Sequence, residues 1–336
     1  MTSKELARIL GVSPAAVSIA LNGRSGISDE KRKMILEAAD RYGIQRSTQK
    51  ASVSSVINLV IYKRHGLIIQ DNPFFTSVIE GISAQAATMG YHLQVSYFYR
   101  SQDRREQLRS IVSSGCAGII LFATEMLDDD LAIFSSLKIP IVVLDACFND
   151  NPYDSIVINN VQGSYLATKY LIECGHERIL HIHTKVFITN FRERAQGFDR
   201  AIAESGGKCL GVHIPFDNDI DAAYLQMKEY LRTTPQIPTA VFSDCDVFGA
   251  ACMRAILDSG YSIPEDISVI GFDDIPNAYG MTPKLTTIHV PKEFFGSLAV
   301  KTLHDRIRNG ASTPTIQIAL NTTLIKRNTV KDITRL

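Results

Sequence analysis

The chain has 336 residues, 45% of them hydrophobic and 21% charged, with equal numbers of acidic and basic side chains. That length can bury a sizeable core and predicts two or three domains, and no apolar run reaches the ~20 residues a membrane-crossing helix needs. Six cysteines (Cys116, Cys147, Cys174, Cys209, Cys245, Cys252) form no CxxC pair, so they imply neither a zinc ribbon nor a disulfide framework and read as buried free thiols. The opening MTSKELARIL carries Lys4, Glu5 and Arg8 and lacks an apolar signal stretch, so a cytoplasmic protein is expected. The charge balance hides an asymmetry. Residues 1–50 hold nine basic and five acidic side chains, against 26 and 30 in the remainder. A basic head on a mildly acidic body suits a polyanionic partner, although short basic segments are often only solvated faces.

Three short helices are predicted in the first fifty residues. Thr2 and Glu5 have capping-box spacing, Leu6, Ile9 and Leu10 form an apolar stripe, and Gly11 stops the first helix. Ser13 is a good N-cap and Pro14 fits the first helical position of the second. Val17, Ala20 and Leu21 face inward, Pro14, Ala15, Ser18 and Ile19 are left outside, and Asn22 and Gly23 end the helix. A third helix begins at the Ser28 cap, with Ile35, Ala38, Ala39 and Tyr42 as its buried stripe. Two short helices around a tight turn, braced by a third, make a helix-turn-helix whose small outward face can approach base edges. An ordinary three-helix bundle that binds a protein has the same pattern.

From Val56 onward the pattern alternates strand and helix. Strand-like runs fall at 57–61, 92–97, 118–122, 141–144 and 155–158, then at 179–182, 240–242 and 269–272. Two such series predict two doubly wound α/β lobes. There is no GxGxxG after the first strand and no GxxxxGK[ST], which argues against dinucleotide or P-loop nucleotide binding. His181 and His183 share one face of a strand, but a metal site needs a further ligand and none has a clear spacing. No Ser-His-Asp order supports an enzyme, and no cofactor or metal is expected.

The run LARILGVSPAAVSIALNG, followed by ISDEKRKMILEAADRYG, resembles the head of the lactose-repressor (LacI/GalR) family of bacterial regulators. The family's core pattern is matched at Val12, Ser13, Val17, Ser18, Leu21, Asn22, Ser28, Arg32, Ala38, Ala39 and Gly43. Ala16 replaces the usual Thr, and Ile19 stands where many members have Arg, exchanging a guanine contact for one suited to a thymine methyl. The body resembles the same family at DNPFF (71–75), IPIVVLD (139–145), NNVQG (159–163), CGHERI (174–179), RAQGF (194–198), PTAVFSD (238–244), IPEDISVIGFDD (263–274), LTTI (285–288) and LIKR (324–327), in order and spacing.

The resemblance implies a helix-turn-helix DNA-binding domain at 1–46, a linker at 47–55 and a periplasmic-binding-protein-like effector and dimerisation domain at 56–336. Lobe one would hold 56–158 plus 289–318, and lobe two 159–288 plus 319–330. By analogy Pro14, Ala15 and Ile19 read bases, Ser13 and Ser18 meet phosphates, and Asn22, Arg46, Lys50 and Val53 complete the DNA-binding set. The linker departs from the family, because Val53 occupies the position of a Leu that wedges into the minor groove and the preceding Ala-Arg pair is missing. A poorly ordered linker and a smaller DNA bend are expected.

An effector cleft is expected outside the carboxyl ends of the strands. Phe74 and Phe75 offer ring faces there, with core packing as their alternative. Asp145 ends a strand and Asp273 sits in the FDD loop after another, and each can take two neighbouring hydroxyls of a sugar. Arg194 supplies a fork for hydroxyls or a carboxylate. Asp244 follows a strand, with Ser243 replacing the family's Asn, and Phe216 is the candidate aromatic of the second lobe. The implied function is a repressor, acting as a homodimer on near-palindromic operator duplex, with no membrane partner and a small effector: the carboxylates and aromatics favour a carbohydrate or sugar derivative, while members of the family bind nucleobases as well. A sugar-processing enzyme whose head binds protein, or a regulator whose cleft takes a partner protein, are the rival readings.

Overall fold

The computed structural model describes residues 2–21, 26–42, 44, 55–69, 72–310 and 313–334. Two compact units divide the chain, residues 1–54 and residues 55–336.

The first unit is three helices, α1 (Ser3–Ile9), α2 (Pro14–Leu21) and α3 (Asp29–Arg41). The expected capping box is formed: the Glu5 carboxylate accepts the Thr2 N–H at 2.7 Å, and the Thr2 hydroxyl accepts the Glu5 N–H at 3.3 Å. Gly11 closes α1 at φ +63°, a left-handed conformation that glycine adopts without steric cost. Ser13 Oγ caps α2 by accepting the Ala16 N–H at 3.2 Å. Leu6, Ala7, Val17, Ala20, Leu21, Ile35 and Ala39 form the buried core. Ile9 and Tyr42, expected inside, are both exposed. Each lies at or just past a helix end.

The second unit contains two six-stranded sheets. The first comprises β1 (Val56–Lys63), β2 (His92–Tyr99), β3 (Gly118–Phe122), β4 (Ile141–Leu144), β5 (Asp154–Ile158) and β11 (Gln317–Leu320), all parallel, in the order β11-β5-β4-β3-β1-β2. The second comprises β6 (Arg178–Thr184), β7 (Leu210–Phe216), β8 (Ala240–Ser243), β9 (Ser268–Asp273), β10 (Thr286–His289) and β12 (Thr323–Ile325), in the order β12-β10-β9-β8-β6-β7, with β12 antiparallel. The chain therefore passes between the sheets after β5, after β10 and after β11. Near these passages Asn159 Nδ2 donates to Asn321 Oδ1 at 3.0 Å, and Gln162 Oε1 accepts the Thr322 N–H at 3.0 Å.

Helices cover both faces of both sheets, which is why the central strands read as continuous apolar runs. Around the first sheet lie α4 (Pro73–Thr88), α5 (Arg104–Ser113), α6 (Asp128–Leu131) and α12 (Lys292–Asn309). Around the second lie α7 (Asn160–Glu173), α8 (Thr189–Glu204), α9 (Ile220–Thr233), α10 (Asp246–Asp258) and α11 (Pro276–Gly280). Alternation along β1 sends Ile57, Leu59 and Ile61 toward α4 and α12, and Val60 and Tyr62 toward α5. α4 and α12 meet backbone to backbone: a Cβ on Gly81 would lie 2.1 Å from the Glu293 carbonyl oxygen, and one on Gly296 2.2 Å from that of Val78. Among the described residues no helix is long and apolar enough to cross a membrane. The expected architecture, a helical head followed by a two-lobed periplasmic-binding-protein-like body, is the one observed.

Candidate functional site

The carboxyl ends of strands from the two sheets face each other across a cleft. β4 ends at Leu144, so Asp145 emerges at its tip, while Asp273 is the last residue of β9 and Asp244 follows β8. Arg194 comes from the second turn of α8, the helix that follows β6. All four residues are buried. Arg194 organises lobe two: Nε donates to Asn160 Oδ1 at 3.0 Å, Nη1 donates to the Asp244 carbonyl, Nη2 lies 3.4 Å from Asp273 Oδ1, and the guanidinium sits 3.7 Å from the centre of the Phe272 ring. Asp145 belongs to lobe one. Its carboxylate accepts from Thr124 Oγ1 at 2.6 Å and, across the cleft, from Asn190 Nδ2 of α8 at 2.9 Å.

This geometry is costly and therefore informative. Asp145, Asp273 and Asp274 hold φ at +69°, +106° and +54°, and no other non-glycine described residue has positive φ. Such backbone strain costs of order 1–3 kcal/mol per residue and clusters at functional sites. The buried Lys292 braces the turn by donating to the carbonyls of Asp273 (2.6 Å) and Asp274 (2.9 Å). Burial pushes the Asp145 carboxyl up to about 7, against the pull of Thr124, Asn190 and Arg194. Burial likewise raises Asp273 to about 6, opposed by Arg194 and Lys292. Asp274 is held below the usual range despite its partial burial, because it pairs with Arg327 at 2.5 Å and His289 at 2.9 Å. Asp244 Oδ1 bonds His181 Nε2 at 2.8 Å, while its buried Oδ2 has no partner. That orphan is an acceptor which a ligand hydroxyl can satisfy.

Beside the cluster lies a cavity of about 290 Å³, with Leu67, Ile68 and Asn72 of lobe one facing Phe191, Asn218 and Phe248 of lobe two. The structure brings Asp145, Arg194, Asp244 and Asp273 together, but it does not bring the three aromatic candidates to this cavity. Phe74 and Phe75 are in the first turn of α4, whose Asn72 cap and Pro73 turn both rings into the core, where Phe75 packs on Phe122 at 5.3 Å. Phe216, the last residue of β7, is buried in the core of lobe two. Residues missed from sequence are the neutral ones, Thr124, Asn160 and Asn190, together with Leu67 and Phe191. Asn and Thr carry no charge signal, although Asn160 and Asn190 sit at helix starts next to cleft-facing strand ends. His181 is buried between Asp244 and His213, with 2.8 Å to each. Among the described residues no group of three or more His, Cys, Asp or Glu side chains could hold a metal.

In the first unit, Ser13, Pro14, Ala15 and Ser18 are exposed and Ile19 is partly exposed, on the side of α2 opposite its buried Val17 and Leu21. Asn22, Arg46, Lys50 and Val53 lie outside the described residues.

The profile of the periplasmic binding protein-like domain matches residues 168–330. The HTH-type transcriptional repressor PurR of Glaesserella parasuis serovar 5 is 30% identical over 321 residues, covering 93% of this chain and 92% of its own length. The ribose operon repressor of Haemophilus influenzae is 32% identical over 316 residues, 92% of each chain. The solved complex of the transcriptional regulator CelR with cellobiose superposes with a TM-score of 0.72 at 25% identity, covering 98% of this chain and 99% of that one. With a helical head, a two-sheet body and relatives that match both over nearly their whole length, the chain is a transcriptional regulator and not an enzyme, and it belongs to the LacI family.

Proposed function

We propose that this protein represses transcription by binding a near-palindromic operator as a homodimer, and that a small effector of carbohydrate type in the interlobe cleft sets its operator affinity. One observation carries this reading. Asp145 from one lobe and Arg194, Asp244 and Asp273 from the other converge in a single buried polar cluster, with an unpartnered acceptor at Asp244 Oδ2. Carboxylates suit adjacent hydroxyls, and a cluster drawn from two lobes couples ligand binding to lobe position. The cellobiose bound to CelR and the ribose operon repressor among the relatives support the sugar class. A repressor acts where its operator is, in the cytoplasm.

At the head, Pro14, Ala15 and Ile19 are assigned to base edges and Ser13 and Ser18 to phosphates, with Asn22, Arg46, Lys50 and Val53 added on sequence grounds. The functional division is a head at 1–46, a linker at 47–55 and a body at 56–336. Selection from randomised duplexes tests the DNA reading. It should yield a two-fold symmetric motif with half-sites about one helical turn apart, bound with steep salt dependence. Failure to enrich any symmetric motif contradicts it. A thermal-shift screen against sugars tests the cleft.

A further inference from the structure

The loop between β1 and α4 is held by a buried carboxylate that no part of the cleft uses. Glu125, just beyond β3, is 1% exposed. Its Oε2 accepts the backbone N–H groups of Arg64 (2.9 Å), His65 (3.1 Å) and Gly66 (2.8 Å), and its Oε1 accepts that of Ile68 (3.0 Å). Burial alone would raise the carboxyl, but the His65 ring and these amides outweigh it and hold it at about 2. Four amides on one carboxylate fix the loop's shape, and Asp130 fixes the Arg64 side chain beside it at 2.5 Å. The other side of the loop presents Leu67 and Ile68 to the cleft cavity, and the Leu67 carbonyl accepts from Asn218 Nδ2 of lobe two at 2.8 Å. Facing these side chains are the apolar Phe191, Ile220, Val247 and Phe248. Among the described residues no Lys, Arg or His lines this cavity. The nearby Arg194 already spends its nitrogens on Asn160, the Asp244 carbonyl and Asp273.

We propose that Glu125 is a positioning residue for effector binding, holding the Leu67–Ile68 wall against which an uncharged, hydroxyl-bearing ligand lays an apolar face. A phosphorylated ligand would bring its anion beside buried carboxylates with no cation among the described lining residues to meet it, a penalty that unpaired buried charge does not recover. The wall works because a loop ordered before binding does not have to be ordered by the ligand. This inference rests on the reading of the cleft as the effector site.

The probes are cellobiose, ribose, glucose and phenyl β-D-glucopyranoside, against glucose 6-phosphate and ribose 5-phosphate, in thermal shift on the full chain. At least one uncharged probe raises the melting temperature and neither phosphate does. A shift with either phosphate, or with none of the uncharged set, overturns the ligand class. Duplex selection without ligand does not involve this loop, so failure here is distinguishable from failure of the regulator reading. With the uncharged probe that binds, Glu125→Gln places an N–H₂ against amides that need an acceptor and lowers affinity about tenfold. Leu67→Ala lowers it in the wild type but adds little in the Glu125→Gln background. Additive losses would reduce Glu125 to a purely structural role and overturn the positioning claim. Hydrogen exchange on the wild type is independent of whether the variant folds. The amides of Arg64, His65, Gly66 and Ile68 exchange slowly, and slower still with probe. Exchange there at the rate of open loops overturns the proposal.

Discussion

Asn190 of lobe two donates its side-chain amide to the carboxylate of Asp145 of lobe one at 2.9 Å, with both residues buried. This bond joins the two lobes directly, from the tip of β4 to the start of α8. It links lobe position to the groups assigned to the effector. An equilibrium between lobe arrangements can be shifted only by contacts that differ between them, and a bond that spans the lobes is lost if they separate.

Asn190→Ala leaves one buried Asp145 oxygen without its donor, at a cost of about 1–3 kcal/mol. The expected outcome is a roughly tenfold or greater loss of effector affinity by calorimetry, together with a larger radius of gyration in solution scattering. An unchanged affinity would show that the bond plays no part in closure.

The pH dependence of stability has a definite sign. Asp145 and Asp273 titrate in the folded protein at about 7 and about 6, above the ordinary 3.8. Between 3.8 and those values the unfolded chain has released protons that the folded one keeps, so the stability these two groups contribute is full below pH 3.8 and is lost as pH rises to about 7. Asp145→Asn and Asp273→Asn should each flatten that slope, with a gain at pH 8 relative to pH 4.5 on the order of 2–4 kcal/mol. Urea unfolding of the effector-free protein at the two pH values measures this. Parallel slopes in wild type and variants would count against the strained, desolvated carboxyls.

Arg194→Ala removes the partner of Asp273 and the donor to the Asp244 carbonyl in one step. Breaking such a buried pair costs about 3–5 kcal/mol, so the body's unfolding midpoint in urea should fall sharply. Arg194→Lys should restore little, since one ammonium cannot replace a fork spread over Asn160, Asp244 and Asp273.

Gly296→Ala would push a methyl to 2.2 Å from the Val78 carbonyl oxygen where α4 and α12 meet. Overpacking of this kind costs about 1–3 kcal/mol, and a thermal melt of the variant should show a lowered midpoint. A neutral result would mean the two helices can separate freely.

The linker carries its own expectation. A weak wedge at Val53 predicts a small DNA bend in gel phasing, changed little by Val53→Ala. A strong kink that collapses in the variant would show an intact wedge.

The fold was legible because the central strands are covered on both faces and read as unbroken apolar runs. β7, β10, β11 and β12 were not: three of them are sheet edges, and β7 is exposed or half-buried at every position but Phe216 and carries a proline. In the cleft, Asp145, Arg194, Asp244 and Asp273 were legible because charged residues at strand or helix ends in an α/β body stand out against the core. Phe74, Phe75 and Phe216 lie in the core, an outcome the sequence does not separate from a ligand contact, because a ring after a strand has the same signature in both. Glu125 left no trace in the sequence, since its partners are backbone amides brought together only by the folded loop.

The central claim is that the cleft and the operator-binding head are thermodynamically coupled. The most direct measurement is the operator affinity of the full-length protein by fluorescence anisotropy, with and without saturating ligand from the thermal-shift screen, alongside ligand affinity with and without operator. The account predicts that both change by the same factor, about 5- to 150-fold, as linkage requires. A ligand that binds the cleft and leaves operator affinity unchanged would contradict it.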